Sequence, residues 1–184
     1  MKKWNLLTAS LCTTLFLSGC IGSSYDKDIV DFNHGRDTKE ILKIFYDDWD
    51  WLFPGPDYSP EYILKHKIPG KELYQARYRG KLQIKVLRID GQVAGFTTYY
   101  KKNFYEGQVQ FVAVSQDFRR QGYGRRLTIS AVKGLFALKC KKVFLFTRLS
   151  NTRARSLYES LGFKEVDRDD GFITYSVREK DFKG

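Results

Sequence analysis

From about Lys81 the apolar positions take a two-residue period. Leu82, Ile84 and Val86 alternate with polar residues, Asp90-Gly91 interrupts, and the apolar run Gln92–Tyr100 follows. Alternation of this kind suits a half-buried strand, and Asp-Gly between two such runs signals a tight hairpin. Beyond a loop near 101–107, Gln108–Ser115 predicts a third strand. Upstream the period is helical: Ile41, Leu42, Ile44, Phe45, Trp49 and Leu52 share a face, with Asp37 or Thr38 as the expected N-cap. The prolines at 54, 56, 60 and 69 all fall just after it, and Ser59-Pro60 predicts the start of a second helix. Downstream, Leu127, Ala131, Leu135 and Leu138 mark the buried face of a third helix. The continuous run "KVFLFTR" predicts a strand covered on both faces. Ala154, Leu157, Tyr158 and Leu161 predict a fourth helix, stopped by Gly162. Two strands close the chain, about 164–166 and 172–177, turning at Asp170-Gly171.

This order of helix, helix, three strands, helix, strand, helix and two strands predicts an α/β (α+β) layered fold with a mixed, mostly antiparallel sheet. The strand–helix–strand unit of residues 108–147 requires one parallel pair.

Composition refines this picture. With 184 residues, 42% of them hydrophobic, the chain can build one compact core. The formal charge of +11 implies affinity for some polyanion. The first residues stand apart: Lys2 and Lys3, an apolar stretch from about Trp4 to Leu17, then Leu17-Ser18-Gly19-Cys20. That pattern is an export signal, and its end resembles a bacterial lipobox, with Cys20 as the lipid-carrying first residue of the mature chain. The expected division is a signal peptide over 1–19, a lipidated cysteine and tether over 20–36, and a folded domain over 37–184. Cys140, among apolar neighbours, reads as a small buried hydrophobe. His34 and His66 are the only histidines, so neither a His/Cys metal cluster nor a histidine-based triad is expected.

The candidate chemistry lies in "SQDFRRQGYGRRL", Ser115–Leu127, between the third strand and its helix. A helix N-terminus leaves backbone N–H groups unpaired and carries partial positive charge. Gly122 and Gly124 let an anion approach those groups, and Arg119, Arg120 and Arg125 add full charges, a combination suited to pyrophosphate. Leu127 occupies the position of a Rossmann third glycine, and no Gly-Lys-Ser/Thr loop occurs in the chain. The spacing that fits is Arg119-x-x-Gly122-x-Gly124.

About thirty residues later comes "NTRARSLYESLGF". Together the two segments resemble the Gcn5-related N-acetyltransferase (GNAT) family, whose Asn-x-x-Ala-x-x-Leu-Tyr-x-x-x-Gly-Phe signature is matched by Asn151, Ala154, Leu157, Tyr158, Gly162 and Phe163. The resemblance implies acetyl-CoA as cosubstrate, bound in a wedge where the strand of "FVAV" splays from that of "FLFT". It implies backbone partners for the pantetheine arm along Val112, Ala113 and Val114, with the Val112 amide as oxyanion donor. It implies a pyrophosphate site over Arg119, Arg120, Gln121, Gly122, Tyr123, Gly124 and Arg125, a contact from Asn151 to the amide arm, and Tyr158 as general acid. The branch of the family that acetylates ribosomal-protein N-termini has a glutamate where this chain has Phe146. Glu106, acting through a water, is the expected base. No metal is expected.

The acceptor is expected to be a small-molecule or peptide amine, attacking directly. In the family the two early helices and their connection wall the acceptor groove. Here that stretch interleaves Asp47, Asp48 and Asp50 with Trp49 and Trp51, as would suit a cation. The leader implies a membrane-anchored lipoprotein of the bacterial cell envelope, where acetyl-CoA is not expected. An unprocessed leader would leave the protein cytoplasmic. An exported, inactive binding lipoprotein and a basic nucleic-acid-binding module are the alternative readings. The second is disfavoured because a cofactor site accounts for the arginines of "RRQGYGRR" with fewer assumptions.

Overall fold

The computed structural model describes residues 26–48, 52, 59–67, 81–169 and 171–184. Cys20 and the leader, Trp49, Asp50, Trp51 and Asp170 lie outside the described residues.

The sheet has seven strands: β1 (Ile29–Asp31), β2 (Gln83–Ile89), β3 (Gln92–Lys101), β4 (Glu106–Val114), β5 (Lys142–Arg148), β6 (Lys164–Asp169) and β7 (Phe172–Arg178), in spatial order β1-β2-β3-β4-β5-β7-β6. Every neighbouring pair is antiparallel except β4–β5. The β2–β3 hairpin turns at Asp90 and Gly91, both left-handed (φ 48° and 80°), as a two-residue turn matching the strand twist requires.

Among the described residues the helices α1 (His34–Asp47), α2 (Pro60–Leu64), α3 (Tyr123–Ala137) and α4 (Thr152–Ser160) flank the sheet. Ile41, Ile44 and Phe45 of α1 and Ile63 and Leu64 of α2 bury against Ile84, Val86, Phe96 and Tyr100. Ala131, Val132 and Leu135 of α3 join Tyr158 and Leu161 in a second cluster with Tyr99, Leu145 and Tyr175. Tyr99 and Tyr100, adjacent on β3, fall in different clusters because successive strand residues face opposite ways.

Three expectations change. Helix α1 begins earlier, with Asn33 as N-cap accepting from the Arg36 N–H at 3.0 Å. Asp37 is therefore not a cap but a fully buried carboxylate inside the helix, bonded by the Asn33 N–H, Arg36 and Arg88. The segment read as a tether over 20–36 includes β1, paired with β2 through Val30 and Val86, and Asp26 and Asp28, which bind Arg126 of α3. Leu138 is not core: α3 ends at Ala137, and Leu138 is 44% exposed at the cap. Cys140 is buried as expected, which pushes its thiol pKa up.

Candidate active site

The parallel pair is short. Strand β5 meets β4 only at Glu106–Lys142, Gly107–Val143 and Gln108–Phe144. Beyond that the strands part, and the cause lies in β4. Thr98 pairs with Phe111 but Tyr99 pairs with Val109, so Gln110 is an extra residue, a β-bulge. It reverses the faces. Val109 packs with α3 and α4, whereas Phe111 and Ala113, which an unbroken strand would align with it, pack against the α1 side. A bulge bends its strand, and here it bends β4 away from β5 where the seam opens.

The backbone of the opened half has a defined polarity. Ser115 N–H donates to Ala94 O, so Ser115 and Ala113 address β3. By antiparallel alternation, Val112 and Val114 direct their N–H and C=O groups into the wedge. The Val114 carbonyl accepts from Arg119 Nε at 3.0 Å. The Val112 pair and the Val114 N–H remain, at the positions expected for a pantetheine arm.

Two clefts fill the opening. The inner one, about 110 Å³, lies between Val109–Val112 and Leu145–Arg148 and reaches Asn151, Ala154 and Tyr158. The outer one, about 550 Å³, runs from Val112–Val114 over Arg119, Arg120 and Gly122–Gly124 to Ser150–Arg153, with Asp48 on its rim. Leu52, Val112 and Asn151 line both.

The outer cleft ends on the N-terminus of α3. Gly122 is the N-cap in the left-handed conformation (φ 81°), and a Cβ built on it would meet nothing within 4 Å. A Cβ at Gly124 would stand 3.9 Å from Leu157 and 4.0 Å from Val114, at the edge of the open space. The first helical amides, Tyr123 and Gly124, have no acceptor among the described residues. Arg120 also has a left-handed backbone (φ 68°), a strained state for a side-chain-bearing residue. These features form an anion cradle in which glycine gives both the turn and the space.

The expected residues divide. Arg119, Arg120, Gly122, Tyr123 and Gly124 line the cleft, whereas Gln121 does not. Arg125 also turns aside, donating to Ser160 Oγ at 3.0 Å and Lys183 O at 3.3 Å. Asn151 caps α4, its Oδ1 accepting from the Ala154 N–H at 3.2 Å, which leaves its amide NH₂ for the cleft it lines.

Tyr158 sits at the inner end. Its ring packs against Phe163 and Tyr175, and desolvation pushes its pKa up to about 12. No described residue hydrogen-bonds its hydroxyl. A buried phenol that holds its proton so firmly is available as a hydrogen-bond donor at the inner cleft.

Glu106 is misplaced for a base. It stands on the closed rung with Lys142, its carboxylate accepting from Asn103 Nδ2 at 2.8 Å. At roughly 3.3 Å per strand residue it lies about 20 Å from Val112. Among the described residues, Asp48 is the single carboxylate lining either cleft, and it is ion-paired with Arg119. Phe146 lines the inner cleft. The Gln110 bulge and the Asp48–Arg119 pair were not foreseen. Gln110 had no glycine or turn residue to mark it, and Asp48 and Arg119 lie 71 positions apart.

A sheet opened beside a glycine-walled helix N-terminus, with a phenol at its inner end, defines the class of acyl-CoA-dependent transferases. Residues 39–163 match the acetyltransferase (GNAT) family, and the chain belongs to it. Among curated proteins it is similar to N-alpha-acetyltransferase 30 of Xenopus laevis, 38% identical over 64 residues (35% of this chain, 23% of the relative). It is likewise similar to an N-alpha-acetyltransferase of Sulfurisphaera tokodaii, 33% identical over 97 residues (44% of this chain, 56% of the relative). The match thus spans under a quarter of the first relative and just over half of the second. Among solved structures, the ribosomal-protein-S18-alanine N-acetyltransferase of Escherichia coli superposes with a TM-score of 0.58 at 24% identity, covering 82% of this chain and 92% of that one. An Elizabethkingia anophelis GNAT acetyltransferase with acetyl-CoA bound gives 0.57 at 18%, covering 82% and 96%. At these identities the likeness is one of fold.

Proposed function

We propose that the protein transfers the acetyl group of acetyl-CoA to an amine by direct attack. The observation that carries this reading is the opened β4–β5 seam leading directly onto the Gly122–Gly124 cradle. The cradle and Arg120 hold the pyrophosphate, and the Val112 and Val114 backbone takes the amide arm. The thioester then lies near the Val112 N–H. The amine nitrogen attacks the carbonyl carbon, its oxygen becomes an oxyanion bonded by that N–H, and collapse breaks the C–S bond. Tyr158 O–H donates a hydrogen bond to the departing thiolate. With a phenol pKa of about 12 against an ordinary thiol near 8.5, the bond stabilises the thiolate without surrendering the proton.

Among the described residues no unpaired carboxylate lines the clefts, and in this reading the amine arrives neutral and loses its proton to solvent after attack. That favours amines of modest basicity. A peptide α-amine, pKa about 8, is neutral about two hundred times more often at pH 7 than a lysine side chain at about 10.4. The α-amine preference in the names of the curated relatives agrees with this choice. Incubation with acetyl-CoA and a peptide bearing both a free α-amine and a lysine, read by mass spectrometry, tests the reading: α-acetylation supports it, and an unmodified peptide removes it.

The leader and Leu17-Ser18-Gly19-Cys20 support a second element: export and lipidation at Cys20, which tether the domain to the cell-envelope membrane. Metabolic labelling with a radioactive fatty acid, wild type against Cys20→Ala, tests it. Label lost in the variant supports the anchor, and label absent from both chains removes it.

A further inference from the structure

The end of the sheet opposite the cleft carries a second feature. Five large hydrophobic side chains are exposed among the described residues, and three of them gather here: Phe104 at 56%, Tyr105 at 69% and Leu138 at 44%. Backbone and side-chain hydrogen bonds hold the β3–β4 turn against the α3–β5 turn. Lys141 N–H donates to Tyr105 O at 2.6 Å, and Lys101 Nζ to Leu138 O at 2.9 Å. The two turns, 101–106 and 138–142, together contain five lysines and one glutamate. The ammonium groups of Lys102 and Lys142 lie over the Phe144 ring, 5.3 and 4.6 Å from its centroid.

We infer that this face docks on an anionic lipid surface. Aromatic and aliphatic side chains ringed by lysine are the chemistry of the membrane interface, where apolar groups enter the headgroup boundary and ammonium groups meet lipid phosphates. Single-stranded nucleic acid needs a groove with stacking platforms. Here both rings stand on one turn at the end of the sheet, and Leu138 on the other offers no stacking face. The inference is independent of both acetyl transfer and lipidation. Its consequence is orientation. With Glu106 at the docked end and Val114 at the cleft, β4 stands about 25 Å tall, so the cleft opens away from the bilayer.

Hydrogen–deuterium exchange of the full chain tests this with a local readout that binding through the leader would not produce. The probes are vesicles of phosphatidylcholine, with and without phosphatidylglycerol. The expected result is slowed exchange in residues 101–106 and 138–142 on the anionic vesicles only. That protection falls roughly tenfold or more in Lys139→Glu/Lys141→Glu and is lowered in Phe104→Ser, whose charge is unchanged. Unaltered exchange in these segments on vesicle-bound protein overturns the inference. So does equal protection on neutral vesicles, or protection by an RNA oligonucleotide but not by vesicles.

Discussion

Asp48, at the C-terminal end of α1, forms an ion pair with Arg119, which follows β4 and also donates to the Val114 carbonyl. One guanidinium thus joins the helix expected to wall the acceptor groove to the strand that leads into the anion cradle. The pair is partly exposed, with side-chain accessibilities of 40% for Arg119 and 15% for Asp48, so its net worth is modest. Among the described residues Asp48 is also the one carboxylate that lines the cleft proposed for the pyrophosphate. Asp48→Asn should therefore tighten acetyl-CoA binding by about 3–10-fold, and Arg119→Ala should weaken it by a similar factor. Titration of each variant checks both, and an effect of the same sign in the two would break the proposed relation.

Tyr158→Phe should lower kcat by about 10–100-fold with little change in acetyl-CoA affinity, since the lost bond forms to a developing thiolate. The same residue contributes to the alkaline dependence of stability. Its folded pKa, about 12, lies above the unfolded value of 10, so its contribution is complete below pH 10 and is lost as pH rises towards 12. Tyr158→Phe should show a shallower loss of stability across that window, measured by chemical denaturation at each pH.

The pH–rate profile tests whether a residue of the protein acts as the base. With a peptide α-amine, log kcat/KM should climb with unit slope to the pKa of the amine, near 8, and then level off. An inflection that stays put when amines of different basicity are exchanged would instead reveal a titrating group of the protein.

Asp37 is fully buried yet charged. Burial alone would raise its pKa, but the Arg36 guanidinium, the Asn33 amide and Arg88 outweigh it and hold the pKa below the ordinary value. A depressed carboxylate stabilises the fold above its unfolded pKa and loses that contribution as pH falls through the folded one. Asp37→Ala would leave Arg88 facing an empty site and should cost about 3 kcal/mol. Urea denaturation at neutral pH measures the loss, and the difference from wild type should shrink in acid.

Much of this fold was legible because its signals are local. Alternation at Leu82, Ile84 and Val86, the Asp90-Gly91 turn and the left-handed Gly162 each report on a few neighbouring residues. The cradle was legible for the same reason, since Gly122 and Gly124 act through their own backbone. What failed depended on distance. Glu106 is near the wedge strand in sequence but on its closed rung, and the bulge at Gln110 shows only when β3 is laid beside β4. Strand β1 was missed because three residues are too few to establish a period.

The central claim is that the open seam and the glycine-walled helix end receive acetyl-CoA, and calorimetric titration of wild type beside Gly124→Glu tests it most directly. A Cβ at Gly124 has room, so the variant should fold, while its carboxylate would stand at the mouth of the cradle. Saturable binding at one site in the wild type, weakened about 100-fold or more in the variant by lost space and charge repulsion, is the predicted result. No heat of binding in the wild type, or equal affinity in the two proteins, would contradict it.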